Sequence, residues 1–400
     1  MSTQNRATDR IAGGITTALL VGVLALAGCG QAAPASAPTA VPADTPTAVP
    51  ADTPTAVPTP TAAPAAVPTL DVDAGLKRVE TFLDNAYKVH LFTGAVLLAR
   101  DGKIIFSKAW GMADREKNIP NTPQTIFRVG ENTKQFTAAA ILLLEQDGKL
   151  SVQDPICNYL DNCPEAWKAV TIHHLLSHTS GIPDYFDPPL PGVSKLTQEG
   201  ATPQQIVALF RDQPLAFKPG AQVAVSHSDF VLAGLIIERV SGQSYGDFVK
   251  QRIFEPLGMT RSGYGDSPEG LALGYLNATV KTPQAFNVSA LYASGGCYST
   301  AEDLFRWSEG LYNGKLLNET ELKKMLTPHA VDENGYGMGY GVLTFELAGR
   351  KAAGNGGGPD GYHSYTTRYF DDYVTSLLIG NQNMDVAVID EMEKTFFGAK

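Results

Sequence analysis

The sequence predicts an α+β fold, because segments typical of strands lie at both ends of the globular region and helical segments lie between them. At the start, residues 93–100 are typical of a buried strand, residues 103–110 are the returning strand, and the turn pair Asp101-Gly102 joins them as a hairpin. At the end, residues 336–347, 361–369 and 374–380 form three further strand-like segments. We therefore expect the terminal strands to close one sheet.

The first 29 residues are typical of a bacterial lipoprotein signal peptide. Arg6 and Arg10 precede the apolar run 15–27, which is too short for a confident membrane-spanning helix. The run ends in Leu26-Ala27-Gly28-Cys29, which resembles a lipobox, so Cys29 is the expected lipidation site. The alternative is a plain signal peptide with an incidental cysteine.

Residues 30–70 form a linker rich in Pro, Ala and Thr. The octapeptide 39–46 is repeated at 47–54, and large apolar side chains are almost absent, so the segment cannot build a core. A polyproline-like tether of this length would reach on the order of 100 Å. With the lipid, it predicts a protein held at the outer surface of a bacterial membrane.

Residues 71–400 form the predicted globular domain, and helical segments occupy its middle. Residues 133–146, 170–176, 230–240 and 300–312 are the predicted helices, the last with Thr300 as its N-cap. Cys157 and Cys163 flank a short loop, and an exported protein permits a disulfide between them. Cys297 remains unpaired and is expected to be a buried apolar residue.

Four signatures in order resemble the serine β-lactamase and penicillin-binding-protein family, in particular its class C β-lactamase, D-Ala-D-Ala carboxypeptidase and esterase branch. The resemblance spans about residues 91–384. It implies a β-lactamase/transpeptidase-like fold, with an antiparallel sheet flanked by helices, an all-helical subdomain and a cleft between them. The four signatures are Leu175 to Pro183, Ile236 to Tyr245, Ile253 to Met259, and Gly295-Gly296 with Ser299 to Leu304.

The family's three catalytic motifs are all altered in this chain. The nucleophile motif S-x-x-K has Glu131 in the serine position and keeps Lys134. The Y-x-N motif corresponds to Val225-Ser226-His227, and the G-H-x-G-G motif to 354–358, with Asn355 in the histidine position. A carboxylate cannot be acylated and deacylated as a serine hydroxyl can. Three changes together indicate loss of the acyl-enzyme pathway.

Two interpretations of Glu131 remain open. In the first, it forms an ion pair with Lys134 one helical turn away and fills the former nucleophile site. In the second, it is a base or nucleophile that works with His227 as acid or base. Ser226, Asn355 and Gly357 are the candidate ligand-binding positions, and Ser226 or Ser228 is a less favoured substitute nucleophile.

The net charge and the histidines limit the classes of partner, metal and cofactor that we expect. A formal net charge of −10 argues against nucleic acid. His173, His174 and His178 lack a completing carboxylate or cysteine, so neither a metal site nor a cofactor is expected. We expect a peptide-like, ester or cell-wall-like ligand, and the oligomeric state is open. Alternatives to ligand binding are an active hydrolase with a rearranged Glu131, Lys134 and His227 site, or a structural surface protein.

Overall fold

The computed structural model describes residues 69–186, 188–265, 267–277 and 286–399. The predicted signal peptide, Cys29 and nearly all of the linker lie outside these residues. In the described part, no helix is long and apolar enough to cross a membrane.

Ten α-helices are found among the described residues. They are α1 (Val72–Lys88), α2 (Thr133–Gln146), α3 (Ile172–Leu176), α4 (Val193–Glu199), α5 (Pro203–Phe210), α6 (His227–Ser241), α7 (Tyr245–Val249), α8 (Ala301–Tyr312), α9 (Glu319–Leu326) and α10 (Ala387–Phe397). A short 3₁₀ turn, Gly130–Asn132, immediately precedes α2.

The main sheet has eight strands in the order β2-β1-β13-β12-β11-β10-β9-β8. Its strands are β1 (Gly94–Arg100), β2 (Lys103–Trp110), β8 (Ala330–Val331), β9 (Gly337–Met338), β10 (Leu343–Leu347), β11 (Arg350–Gly357), β12 (His363–Tyr369) and β13 (Val374–Gly380). The others are β3 (Met112–Asp114), β4 (Ile119–Pro120), β5 (Phe127–Arg128), β6 (Gly263–Tyr264) and β7 (Cys297–Ser299), which form two small sheets.

All neighbouring strands of the main sheet are antiparallel, and β1 pairs with β13 from Gly94 opposite Gly380 to Arg100 opposite Val374. The predicted closure of one sheet by strands from both ends is therefore confirmed. The predicted strand 336–347 is wrong in one respect. It divides into β9 and β10 around Gly341, whose φ of 65° turns the chain.

Both faces of the sheet are covered, which explains why β1 is apolar on successive residues rather than on alternate ones. Val96 and Leu98 pack into the core beneath α1 and α10, which we call the outer face. Ala95 and Leu97 pack into the larger core with α2 and the helical region, which we call the inner face. The inner face carries α2, and α2 carries the candidate site.

Candidate functional site

The candidate site lies where the 3₁₀ turn before α2, the start of α6 and the end of β11 meet. Gly130 makes this meeting possible. Its φ is 47°, and a Cβ there would lie 2.4 Å from the Gly358 Cα. Gly357 has the same role beside Glu131, because a Cβ at Gly357 would lie 2.1 Å from Glu131 Oε2. Glycines therefore let β11 approach Glu131 closely.

Glu131 contacts His227, which in turn contacts Asp184. Glu131 Oε1 lies 3.1 Å from His227 Nε2, and His227 Nδ1 lies 2.9 Å from Asp184 Oδ2. The backbone N–H of His227 also donates to Asp184 Oδ1, at 3.1 Å. These three side chains form a carboxylate–imidazole–carboxylate chain, which we call the ionic triad. His227, which is the first residue of α6, thus holds both carboxylates.

The pKa shifts favour the charged form of every member of the ionic triad. Burial raises the pKa of Glu131 and of Asp184, but the hydrogen bond and positive charge of His227 outweigh it, and both pKa values are lowered. Burial and the charge of Lys134 lower the pKa of His227. The hydrogen bonds to Asp184 and Glu131 outweigh them, and the pKa is raised. The directions of these three pKa shifts indicate a charged imidazolium between two ionised carboxylates.

Lys134 is buried on α2, and it does not form the direct ion pair with Glu131 that the first of the two interpretations proposed. Among the ion pairs of the described residues, which join atoms within 4.0 Å, Lys134 has none. Its Nζ lies 5.7 Å from the centre of the Phe230 ring. Burial lowers the pKa of Lys134, against the raising effect of Glu131, Asp184 and Asp229. Lys134 therefore acts on Glu131 through its field, and His227 is the direct partner.

A second buried network lies behind the ionic triad. The Ser226 N–H donates to His178 Nδ1 at 3.1 Å, and the Ser180 hydroxyl donates to Asp229 Oδ1 at 2.5 Å. Burial places the pKa of His178 well below its ordinary value and that of Asp229 well above it, and both shifts favour the neutral form. Ser180 and Ser228, whose hydroxyl donates to the Pro183 carbonyl, are thus engaged in structural hydrogen bonds.

The three predicted ligand-binding positions differ in their hydrogen bonds and packing. The Asn355 side chain donates to the Gly341 carbonyl at 2.9 Å and to the Glu131 carbonyl at 3.4 Å, so it braces the site. Gly357 supplies the close approach of β11. The Ser226 hydroxyl is buried and has no hydrogen-bond partner in the described structure. The structure thus brings Glu131, His227 and Asn355 together and places Ser226 at the base of α6.

Asp184 was missed by the sequence analysis because no catalytic motif of the family contains it. It follows Pro183 directly, at the end of the signature Leu175 to Pro183. Its carboxylate, directly after that signature, was the one signal in the sequence that could have identified Asp184 as a candidate site residue.

Two features of the site bear on ligand binding. Glu131 Oε2 is buried and accepts no hydrogen bond from the described residues. A cavity of about 420 Å³ adjoins the segment that carries Glu131, and Arg128, Phe286, Pro359 and Tyr362 are among its walls. Among the described residues, no cluster of three or more His, Cys, Asp or Glu could hold a metal ion.

The predicted disulfide is present, and it joins Cys157 to Cys163. It lies in the loop between α2 and α3, away from the ionic triad. Cys297 is free and buried, as expected, and burial raises the pKa of its thiol to about 12. This thiol is therefore not a substitute nucleophile.

Comparison with known proteins places these features in context. A model of the family described as Beta-lactamase matches residues 79–387. The chain is 34% identical over 266 residues to the putative penicillin-binding protein PbpX of Bacillus subtilis, covering 65% of this chain and 64% of PbpX. It is 30% identical over 349 residues to penicillin-binding protein 4* of the same species, covering 80% and 76% of the two chains. The chain thus spans just under two thirds of PbpX.

Solved structures agree with the fold. A penicillin-binding protein from Bacillus halodurans matches with a TM-score of 0.70 and 32% identity, over 79% of this chain and 98% of the other. An octameric penicillin-binding protein homologue from Pyrococcus abyssi matches with a TM-score of 0.72 and 26% identity, over 81% and 78%. A D-amino acid amidase from Ochrobactrum anthropi SV3 has a TM-score of 0.73 at 24% identity, over 82% and 99%, and this match supports the fold alone.

Proposed function

This chain belongs to the β-lactamase and penicillin-binding-protein family of serine hydrolases, and from that membership we propose that it is a non-acylating member that binds a peptide-like or cell-wall-like ligand in its cleft. The observation that carries the proposal is the pairing of Glu131 with His227 at 3.1 Å. Glu131 occupies the nucleophile position, and its hydrogen-bonded imidazolium holds it as a carboxylate.

Loss of acylation follows from the chemistry of a carboxylate at this position. A serine hydroxyl, once freed of its proton, attacks a carbonyl and yields an ester that water can cleave. Glu131 has no such proton to lose, and its lowered pKa makes it a weaker nucleophile. Attack would also require separating Glu131 from His227 in a buried site. Removing one partner of a buried ion pair costs about 3–5 kcal/mol.

Binding is supported by what the site still offers. Glu131 Oε2 is an unused acceptor, and a buried acceptor gains from an N–H donor that replaces lost water. The adjoining cavity of about 420 Å³ has the size of an ordinary small-molecule site. An amide or amine N–H donating to Oε2, with the adjacent side chain in this cavity, matches a short peptide. Penicillin-binding proteins are the relatives that suggest a cell-wall peptide.

The experiment for acylation is intact-mass analysis after incubation with a fluorescent penicillin and, separately, an activated ester. We expect no stoichiometric adduct on the wild-type domain, and an adduct would contradict the proposal. Glu131→Ser combined with Val225→Tyr and His227→Asn restores the family motif residues at these positions, and it is expected to acylate. Glu131→Ala is the matched control, which removes the carboxylate without supplying a hydroxyl.

The experiment for binding is titration calorimetry with N-acetyl-D-alanyl-D-alanine as the probe. Wild type is expected to bind it, and Glu131→Ala is expected to weaken binding by roughly tenfold, the value of one hydrogen bond to a charged group. Equal binding by both proteins would reject Glu131 Oε2 as the acceptor. If wild type did not bind the dipeptide, the binding proposal would be rejected in favour of the alternative that the chain is a structural surface protein.

A second candidate function is hydrolysis through the ionic triad, and the carboxylate–imidazole–carboxylate chain is the observation that favours it. Glu131 would take a proton from a water molecule while that water attacks an ester carbonyl. His227 would give a proton to the leaving alcohol. Turnover of a p-nitrophenyl ester that disappears in Glu131→Ala would support this candidate over pure binding. Turnover that persists in Glu131→Ala would reject it.

We also propose that the domain works outside the cell, tethered through a lipid on Cys29. The lipobox-like Leu26 to Cys29, the proline-rich residues 30–70 and the disulfide support this location.

A further inference from the structure

A second cavity, of about 380 Å³, lies on the outer face of β11, beneath α10. Gly354 and Gly356 of β11 line its floor, and the Tyr365 ring lies against Gly356, where a Cβ would be 1.9 Å from Tyr365 Cδ1. Gly354 pairs with Thr367 and Gly356 pairs with Tyr365, so both glycines face outward, whereas Asn355 between them faces the candidate site. The cavity is thus separated from the cleft by the thickness of one strand.

The walls of this outer cavity combine apolar and acidic side chains. The aromatic and aliphatic members are Tyr336, Leu343, Phe345, Leu347, Tyr365, Val386 and Ile389. The acidic members are Glu346, Asp390 and Glu393, and the lining residues that the structure describes include no Lys, Arg or His. An anionic ligand would be repelled here, and a cation with an apolar body would be complementary to both parts of the wall.

Glu393 is the buried polar group of the cavity, with a relative exposure of 3%. Its Oε2 accepts a hydrogen bond from the Tyr369 hydroxyl at 2.6 Å. Its Oε1 is buried and accepts no hydrogen bond of ordinary geometry from the described residues. Burial raises the pKa of Glu393 to about 7, opposed by the hydroxyls of Tyr369, Ser376 and Thr367 and increased by the charge of Asp390. These hydroxyls are neutral, and the described lining residues include no cation, so a ligand ammonium group would supply the opposite charge that the Glu393 carboxylate lacks.

We propose that the outer cavity is a binding site for a small organic cation with a primary ammonium group on an aromatic or branched aliphatic body. The ammonium group would donate to Glu393 Oε1, near Asp390 at the same helix face. The apolar body would lie against the Phe345 and Tyr365 side chains that line the cavity. An ammonium supplies both the charge and the N–H donors that this wall lacks. The site is independent of the proposed function of the cleft.

The test is calorimetric titration of the full chain with 2-phenylethylammonium at about pH 8, where a carboxyl with a pKa of about 7 is mostly ionised. We expect roughly millimolar or tighter binding. Glu393→Gln, which keeps the shape, is expected to weaken it by roughly tenfold or more. The control Glu391→Gln removes the same charge from α10 at a residue that pairs with Lys394 and does not line the cavity, and it should leave affinity unchanged.

Two further arms make the result decisive. The neutral analogue 2-phenylethanol should bind at least roughly tenfold more weakly, because it lacks the charge. Val386→Trp, at an exposed lining position, should obstruct the cavity and abolish binding while leaving Glu393 in place. Equal affinity for the alcohol and the ammonium, unchanged affinity in Glu393→Gln, or no binding of the ammonium to wild type would each overturn the proposal.

Discussion

His227 is the residue on which the charge state of the candidate site depends. A neutral imidazole has one N–H and could donate to Glu131 or to Asp184, but not to both. Both contacts have hydrogen-bond lengths, at 3.1 and 2.9 Å, and both carboxyl pKa values are lowered. With Lys134 protonated, the two cations and two anions of this buried group sum to zero, which makes its burial tolerable.

The first prediction concerns the pH dependence of the Glu131–His227 contact. The lowered pKa of Glu131 means that its stabilisation is present above its unfolded pKa of about 4.5 and is lost as the pH falls through the folded value. The raised pKa of His227 means that its stabilisation is present below its unfolded pKa of about 6.5 and is lost as the pH rises through the folded value. The contact therefore contributes most between about pH 4.5 and 6.5.

Urea unfolding of wild type and Glu131→Gln checks this window. We expect wild type to be more stable at about pH 5.5, by on the order of 1–3 kcal/mol, and the advantage to shrink in alkaline buffer. NMR titration of His227 should give a pKa above 6.5 in wild type and a lower one in the variant. An advantage that grows with pH would contradict the imidazolium assignment.

Sequence reasoning found Glu131 and His227 because each occupies a motif position. It missed Asp184 because Asp184 is in no motif and lies 43 residues before its partner His227 in the chain. Lys134 is not the direct partner of Glu131, and the reason is geometric. The i,i+3 rule applies within a continuous helix, but Glu131 lies in a 3₁₀ turn that precedes α2. Its carboxylate is thereby directed towards α6 and β11, and Lys134 is left inside the core.

At the scale of elements, the turn between β5 and α2 is fixed by the close contact of Gly130 with Gly358. The second prediction compares Gly130→Ala with Gly148→Ala. Both glycines have positive φ, 47° and 69°, so both alanines bear similar backbone strain. A Cβ at Gly148 meets nothing within 4 Å, whereas one at Gly130 meets the Gly358 Cα at 2.4 Å.

We expect Gly130→Ala to be less stable than Gly148→Ala by about 1–3 kcal/mol, the usual cost of overpacking. Denaturant unfolding of both variants measures this difference. Gly130→Ala should also displace β11 from Glu131 and so weaken binding of the dipeptide probe, and Gly148→Ala should not. Equal loss of stability in the two variants would show that backbone strain alone is responsible.

Elements with a strong local signal were predicted closely, and elements defined by distant packing were not. The apolar run 133–146 coincides with α2, and 374–380 coincides with β13. α6 begins at His227 rather than at the predicted residue 230, because its first turn is polar and is buried by the site. α1 and α10 were not predicted. They pack mainly against each other and the outer face, from opposite ends of the domain, and a local sequence window does not contain that partner.

At the scale of the whole molecule, β1 from the start of the domain and β13 from near its end are paired along their full length. The two ends of the domain are therefore joined by a strand pair inside the main sheet. This is consistent with the fold class that the sequence predicted.

The third prediction concerns the location of the whole protein, and its determinants lie outside the described residues. Cys29→Ser should prevent lipidation, because the Cys29 thiol is the group to which the lipid would be attached, and should move the protein from the membrane fraction to the soluble extracellular or periplasmic fraction. Ala27→Ser, which keeps a small residue in the lipobox-like segment, is the control. Membrane association that survives Cys29→Ser would reject the lipid tether.

The ionic triad also limits how the site can change by mutation. Replacing Glu131 alone with serine leaves the His227 imidazolium facing an alcohol, and replacing His227 alone leaves two buried anions without the cation that contacts both of them. Each single step towards a hydroxyl nucleophile is therefore unfavourable, although the combined changes satisfy one another. A hydroxyl nucleophile at position 131 therefore needs coupled changes at two positions, which random single substitutions supply only rarely.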